Sequence, residues 1–212
     1  LHHAFLGVLL EHTLHLLKLA DAMLPQFPHL NRDLVITGLF IHDIGKCSEL
    51  AWREGFQYTD EGQLVGHIVR GSTWLHQKAA VAAKSGHALS RPALLILEHI
   101  ILSHHSKPEF GAARTPSTPE ALFVALLDNL EAKMQMAVQA TRGSSAPDPA
   151  SVNGNFTDRM WALDNVRLYR PDPMADEAEG NAAPDVAPDP EVVTGSTPPL
   201  YADDTTGGSE KA

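Results

Sequence analysis

Hydrophobic residues recur at helical spacing in the first part of the chain. In residues 4–24, apolar side chains return every three or four positions, and Pro25 ends the pattern. Asn31 then precedes a second apolar stretch, residues 32–44, which Gly45 follows. Because asparagine is a favoured N-cap and glycine a favoured helix stop, this pattern predicts a second helix between them.

The middle of the chain predicts three more helices. After an irregular stretch at residues 47–61, helical patterning returns over residues 62–84 and again over residues 90–104, which a serine opens. Residues 106–117 contain prolines and a glycine and are predicted to form a loop. A threonine, a proline and a glutamate then mark the start of a helix over residues 118–140. Since no segment alternates polar and apolar residues as a strand does, the sequence predicts an all-α domain.

Composition divides the 212 residues into a folded part and an acidic tail. Residues 171–212 contain few large apolar side chains, so this tail is predicted to be disordered. Residues 1–142 are predicted to form the helical catalytic domain, and residues 143–155, rich in serine, glycine, proline and asparagine, a linker. The apolar segment at residues 156–170 is predicted to dock back on the domain.

The formal net charge of −10 belongs almost entirely to the tail. Residues 171–212 hold ten acidic residues and one lysine, a net charge of −9. Residues 1–170 hold sixteen acidic and fifteen basic residues, a net charge of −1. Because the folded part has no broad basic excess, a polyanionic ligand would have to be held by local groups or by metal ions.

Two classes of protein are excluded by simple counts. No apolar run is long enough to cross a bilayer, so the sequence does not predict a membrane protein. The single cysteine, Cys47, excludes an internal disulfide and a cysteine-rich zinc site. One free cysteine fits a reducing compartment, and we expect a cytoplasmic protein.

Several histidines and aspartates lie inside apolar helical segments, where a polar side chain needs a partner. The central pair, His42 and Asp43, follows a core-like apolar run. Taken alone, such a pair indicates a structural hydrogen bond as readily as a ligand. Together with similar positions on other predicted elements, it indicates a metal site of histidine and carboxylate. The seven candidate ligands are His12, His42, Asp43, His67, His104, His105 and Asp128.

The strings around these positions resemble a known superfamily. The order His, His-Asp, His, His-His, Asp is similar to that of the HD superfamily of metal-dependent phosphohydrolases. Longer strings resemble its YhaM-type 3′-5′ exoribonucleases; they include Leu10-Glu11-His12-Thr13, His42-Asp43-Ile44-Gly45-Lys46, Asp128-Asn129-Leu130-Glu131-Ala132-Lys133-Met134 and Trp161-Ala162-Leu163-Asp164-Asn165. The resemblance covers about residues 1–170 and implies an HD-domain helical bundle of five to seven helices.

The resemblance also implies a site with two divalent metal ions. The implied ligands are, for the first ion, His12, His42, Asp43 and Asp128 and, for the second, Asp43 as a bridge with His67, His104 and His105. Two neighbouring ions can activate water and clamp a phosphoryl group. Manganese is the expected metal, and iron, zinc, nickel and cobalt are compatible with the same types of ligand.

Three further residues are candidate substrate contacts. Lys46, one turn beyond Asp43, is expected to hold a non-bridging phosphate oxygen as a point charge and to act with Asp43 in catalysis. Lys133 and His3 are expected to approach the nucleic acid. For each of the three, a solvated side chain without a role is the competing interpretation.

The function implied by the resemblance is hydrolysis of single-stranded RNA, and also of single-stranded DNA, from the 3′ end to nucleoside monophosphates. Two alternatives stay open: an HD phosphohydrolase acting on a nucleotide or cyclic dinucleotide, and a nucleic-acid-binding or regulatory module that has lost catalysis. The Gly-Tyr-Pro signature of the cyclic-di-GMP branch does not occur in the sequence. We also expect the family's N-terminal OB-fold module to be missing from this chain, and a homo-oligomer to form.

Overall fold

Seven α-helices and two very short strands follow one another in the residues described by the computed structural model, which are 7–51, 57–142 and 154–171. The elements are α1 Val8–Met23, α2 Arg32–Ile41, α3 Lys46–Glu49, β1 Leu50–Ala51, β2 Gln57–Tyr58, α4 Asp60–Leu64, α5 Gly66–Lys84, α6 Arg91–Ser103 and α7 Pro119–Arg142. The two strands form an antiparallel pair with Leu50 opposite Tyr58. The predicted all-α fold is therefore confirmed. His3, most of the predicted linker and nearly all of the predicted tail lie outside the described residues.

Three of the helices begin at the residues that the sequence predicts. The side chain of Asn31 accepts a hydrogen bond from the Leu34 N–H at the start of α2. Ser90 and Thr118 make the same type of cap at α6 and α7, with distances of 3.3 and 3.1 Å. Each cap satisfies a backbone N–H that has no partner inside its helix.

Two predicted boundaries are wrong. The second helix ends at Ile41 and not at residue 44, because the chain tightens there into turns closed between residues three apart, from Ile44 N–H to Ile41 O and from Lys46 N–H to Asp43 O. The predicted helix over residues 62–84 is two helices, α4 and α5. The break is at Gly66, whose φ of +75° is a left-handed conformation that glycine adopts without strain.

A buried core joins α1, α2, α6 and α7. Its buried apolar residues are Leu16, Ala20, Leu24, Val35, Leu39, Leu97, Ile100, Ala121, Phe123, Val124 and Leu127. The approach of α2 to α6 depends on Gly38, because a Cβ at this position would lie 2.7 Å from Ile100 Cδ1. This packing brings the end of α2 beside the end of α6, where the candidate ligands lie.

The segment at residues 154–171 folds back on itself. Antiparallel bridges pair Phe156 with Tyr169 and Met160 with Val166, around a 3₁₀ turn over Trp161–Leu163. Near this turn, Asp164 Oδ2 lies 3.6 Å from the Nζ of Lys133 on α7. The contact is the kind expected of a segment that docks on the domain, and the domain boundaries stay a prediction.

A helix that crosses a bilayer must be both long and apolar. No helix among the described residues combines the length and the hydropathy that a membrane span requires.

Candidate metal centre

The seven candidate ligands come from five different helices or helix ends. α1 carries His12, α7 carries Asp128, and α5 carries His67 in its first turn. The His-Asp pair directly follows α2, and the His-His pair directly follows α6. Because the core packs these ends together, all seven side chains meet in one largely buried cluster.

One half of the cluster faces Oδ2 of Asp43. His42 Nε2 lies 3.5 Å and His12 Nε2 4.0 Å from this oxygen. Both rings also face Asp128, whose Oδ1 is 3.2 Å from His12 Nε2 and 3.8 Å from His42 Nε2. Two imidazole nitrogens and two carboxylate oxygens thus converge on one point.

The other half of the cluster faces Oδ1 of the same aspartate. His67 Nε2 lies 3.5 Å and His104 Nε2 3.4 Å from Asp43 Oδ1. The ring of His105 stacks edgewise on that of His104, with centroids 4.3 Å apart. One donor atom from each of these four residues lies within 4.8 Å of all the others. Asp43 is therefore shared by both halves, one carboxylate oxygen to each.

Hydrogen bonds orient four of the five histidines with Nε2 towards the centre. The Nδ1 atoms of His42 and His104 lie 2.7 and 2.8 Å from the carbonyl oxygens of Leu39 and Ile101. Those of His12 and His67 lie 2.8 and 3.0 Å from Oε2 of Glu131 and Oε2 of Glu49. A carbonyl or carboxylate at Nδ1 favours the tautomer that carries its proton there. The lone pair of Nε2 is then directed into the cluster, which is the arrangement of a metal-ligating imidazole.

Buried polar atoms at the centre test whether metal ions fit this site. Among the described residues, Asp43 Oδ1 and the Nε2 atoms of His42, His67 and His104 are buried without a hydrogen-bond partner, and so is Nδ1 of His105. An unpaired buried polar atom is costly, and five that converge on one cluster need a common partner. Since all five are lone-pair donors of types that divalent transition metals accept, the residues fit a metal centre.

The electrostatics of the cluster favour the ligand forms of these groups. Burial, reinforced by the neighbouring imidazole of His104, lowers the pKa of His105 to about 4. Burial also lowers the pKa of His42 and His67, so all three rings are neutral near pH 7. Burial would by itself raise the pKa of the Asp43 carboxyl, but the electrostatic attraction of the adjacent His42 and of the Lys46 ammonium group holds that pKa well below its usual range.

His12 differs from the other histidines. Burial acts to lower its pKa, but the hydrogen bond to Asp128, together with that to Glu131, raises the pKa above the ordinary value. A metal ion at this position would therefore displace a proton held between His12 and two carboxylates.

Gly45 sets the position of His67 relative to the His-Asp pair. A Cβ on Gly45 would lie 2.1 Å from the carbonyl oxygen of His67, so the two backbones pass each other at a distance that only glycine allows. Its φ of −62° is an ordinary helical value, so close approach and not backbone conformation explains this glycine.

Comparison with known families gives a match that centres on this cluster. The family model described as HD domain matches residues 9–133, which include all seven candidate ligands. The chain belongs to the HD-domain family.

Curated relatives of this HD domain extend the match to 170 residues, 80% of the chain. The 3′-5′ exoribonuclease YhaM of Bacillus subtilis is 38% identical, and those of Bacillus pumilus and Geobacillus sp. are each 36% identical. The chain spans about half the length of these relatives, 50%, 50% and 49% respectively. No solved structure gives a significant match to the chain.

The predicted substrate contacts of the HD domain lie at different distances from the cluster. The Nζ of Lys46 lies 2.5 Å from Asp43 Oδ2, and its side chain is 36% exposed, so it links the buried site to solvent. Lys133 pairs with Asp164 at the surface, and its contact with nucleic acid stays a prediction. His3 lies outside the described residues.

Sequence reasoning missed two carboxylates of this HD domain, Glu131 and Glu49. Glu131 could have been found, because it follows Asp128 by three residues and therefore shares its helix face. Glu49 had no such signal, since it ends a four-residue helix inside a stretch that the sequence presents as irregular.

Proposed function

We propose that this HD domain is the catalytic domain of a metal-dependent 3′-5′ exoribonuclease. Its substrate is single-stranded RNA, with single-stranded DNA as a second substrate, and its products are nucleoside monophosphates. The observation that carries the proposal is the position of the Asp43 carboxylate, whose two oxygens face two separate sets of histidines in one buried cluster. The names of the curated relatives support the choice of reaction.

Two divalent ions are assigned to the two halves of the cluster, and manganese is the metal that we propose for both. Asp43 is the shared ligand, with His12, His42 and Asp128 for one ion and the remaining three histidines for the other. When bound, such ions supply Lewis acidity to the phosphoryl oxygens and activate water for attack on phosphorus. The protein's own part is to hold neutral imidazoles in place and to keep Asp43 ionised.

Lys46 is assigned to the substrate phosphate. Its ammonium group lies at the edge of the buried cluster and donates a hydrogen bond to Oδ2 of Asp43. A metal ion at Oδ2 would compete for the same lone pairs and leave the ammonium free to face a phosphate oxygen. As a compact point charge, it would balance the anionic phosphodiester in a domain with almost no net charge.

The wider assignments follow the same proposal. Residues 1–142 form the catalytic domain, with residues 156–170 docked on it. We propose that the protein is cytoplasmic, since its proposed substrate is RNA and a single free cysteine fits a reducing compartment. We also propose that copies of the chain associate with one another.

End-labelled oligonucleotides test the reaction directly. With manganese-loaded protein, RNA labelled at the 5′ end should give a ladder of shortening labelled products, whereas RNA labelled at the 3′ end should release labelled mononucleotide at once. Asp43→Asn is the control and should give neither. An intact 3′ end after incubation with metal-loaded wild-type protein overturns the proposal. Phosphate release from small nucleotides without shortening of RNA would instead assign the site to a nucleotidase.

A further inference from the structure

The hydrogen-bond partners of the site histidines follow a regular pattern. His42 and His104, which are fully buried, hold Nδ1 against backbone carbonyl oxygens. His12 and His67, each 12% exposed at the outer edges of the cluster, hold Nδ1 against side-chain carboxylates. The carboxylates belong to Glu131 on α7 and Glu49 on α3.

This pattern divides evenly between the two halves of the cluster. The half that faces Asp43 Oδ2 contains His12, backed by a carboxylate, and His42, backed by a carbonyl. The half that faces Oδ1 contains His67, backed by a carboxylate, and His104, backed by a carbonyl. Each proposed ion therefore receives one imidazole of each kind.

A carboxylate partner affects an imidazole ligand more strongly than a carbonyl does. It fixes the tautomer and ring orientation in the same way, and its charge also raises the basicity of the ligating nitrogen. Both carboxylates are largely shielded from water, with Glu131 5% and Glu49 14% exposed. In such surroundings the hydrogen bond is strong and its loss leaves a misdirected ring.

The carboxylate of Glu131 is itself fixed. One oxygen meets His12 Nδ1 at 2.8 Å, and the other lies 3.3 Å from Nδ1 of His15, one turn further along α1. Both carboxylate oxygens therefore have partners, so the glutamate cannot rotate away from His12 without losing both contacts.

We propose that Glu131 and Glu49 are positioning residues that set the affinities of the two metal ions separately, Glu131 through His12 and Glu49 through His67. The inference rests on the proposed two-ion site and adds that its halves have independent supports. Each glutamate lies against Nδ1 of its histidine, whereas Nε2 of the same ring faces the cluster. Each acts through the histidine that it backs.

Manganese titration by calorimetry tests the inference without reference to activity. Glu131→Ala should lower the affinity for the ion in the His12 half by about 10- to 100-fold and leave the affinity for the second ion unchanged. Glu49→Ala should lower the affinity for the ion in the His67 half by a similar factor and leave that for the first ion unchanged. Glu98→Ala is a matched control, because Glu98 also lies against a histidine, His76, at 2.9 Å but outside the cluster. It should leave both affinities unchanged.

Double variants establish through which histidine each glutamate acts. His12→Ala removes the ring that Glu131 backs and weakens binding of the ion in that half, so adding Glu131→Ala should change the affinity for the same ion by less than about threefold further. The pair His67→Ala and Glu49→Ala should behave alike. If Glu131→Ala lowers the affinity for the ion in the His12 half tenfold further in the His12→Ala protein, or lowers the affinity for neither ion in the wild-type protein, the inference is overturned.

A conservative variant separates positioning from a general loss of structure. Glutamine keeps an oxygen that can accept from Nδ1–H but loses the charge, so Glu131→Gln should bind its ion more tightly than Glu131→Ala and less tightly than wild type. If Glu131→Ala does not fold, as judged by circular dichroism of the metal-free protein, Glu131→Gln carries the test alone. A glutamine variant with wild-type affinity for both ions would then refute the role of Glu131.

The failure of this inference is distinguishable from that of the proposed function. Wild-type protein that binds two ions and shortens RNA, with glutamate variants that bind both ions normally, refutes the inference alone. Wild-type protein that binds no metal refutes both.

Discussion

The two oxygens of a single carboxylate divide the histidines of this site into two sets. Asp43 is 3% exposed and ionised, with one oxygen towards His42 and the other towards His104. A buried carboxylate with so few protein hydrogen bonds is stable only if cations compensate its charge. Lys46 is one such cation, and the proposed metal ions are the others.

The role assigned to Lys46 gives a prediction at the scale of one residue. Lys46→Ala should lower kcat/KM for the oligonucleotide by about 10- to 100-fold, the size expected when a charged hydrogen bond of about 1.5–3 kcal/mol is lost from the transition state. Manganese affinity should not fall, because the lysine competes with metal for Asp43 Oδ2. Steady-state kinetics and metal titration check the two parts.

Lys78→Ala supplies the control, since Lys78 is exposed on α5. It should leave kcat/KM unchanged. Equal kcat/KM for wild type and Lys46→Ala would contradict the phosphate contact.

The sequence predicts the orientation of a site residue where its neighbours along the helix determine it. His12 and Asp128 could be placed inward because their helical neighbours are apolar, and the structure brings both to the cluster. The partner of His67 could not be predicted in this way, because Glu49 lies 18 positions away and meets it only after α3 has packed against α5.

At the scale of elements, Gly45 fixes how α5 begins. The backbone carbonyl of His67 lies where a side chain on Gly45 would begin, so the turn after α2 and the start of α5 are in direct contact. The sequence indicated only a helix stop at this glycine. The close contact is a tertiary feature, and the pattern of residues along the chain does not indicate it.

Gly45→Ala should therefore disturb the site far more than an ordinary glycine substitution. Relief of a 2.1 Å contact requires movement of backbone against backbone, and we expect the free energy of unfolding to fall by about 3 kcal/mol, at the upper end of typical overpacking costs. Metal affinity should fall with it, because His67 must move. Urea unfolding and metal titration measure the two effects.

Gly71→Ala is the matched control on α5. Its Cβ would lie 3.3 Å from Ile101 Cγ2, a side-chain atom that can shift, so the cost should stay below about 1 kcal/mol. Equal stability of the two variants would show that the Gly45 contact does not hold α5 in place.

The connection from α6 to α7 predicts a dependence of stability on pH. His99 Nε2 accepts a hydrogen bond from the Ser117 backbone N–H at 2.8 Å, and burial lowers the pKa of this histidine. A lowered pKa in the folded state means that the stabilisation is fully present above the unfolded pKa of about 6.5 and is lost as the pH falls through the folded value.

His99→Gln keeps a neutral acceptor that does not titrate. With a metal chelator present, lowering the pH from about 7.5 to about 5 should therefore reduce the free energy of unfolding less for His99→Gln than for wild type. Equal pH dependence in the two proteins would show that protonation of His99 does not oppose folding.

At the scale of the whole molecule, the fold was predictable because its determinants are local. Helical spacing and caps at Asn31, Ser90 and Thr118 define the main helices without knowledge of the tertiary structure. The convergence of the ligands needed family resemblance as well, since spacing along the chain does not state which helix ends meet. The match over residues 9–133 agrees with that resemblance.

The near-neutral charge of residues 1–170 also belongs to this scale. If this domain is the proposed nuclease, it binds its anionic substrate mainly through local charges, because residues 1–170 carry a net charge of only −1. In this HD domain the proposed sources are the two metal ions and Lys46. The number of metal ions is therefore the property on which the account depends most.

Metal content measures that number directly. Protein stripped with chelator, reloaded with manganese and freed of excess metal should contain two ions per chain by elemental analysis. Asp43→Asn should retain neither at full occupancy, because both halves of the cluster use its carboxylate. One ion per chain in the wild-type protein, with full activity on RNA, would contradict the shared-carboxylate site.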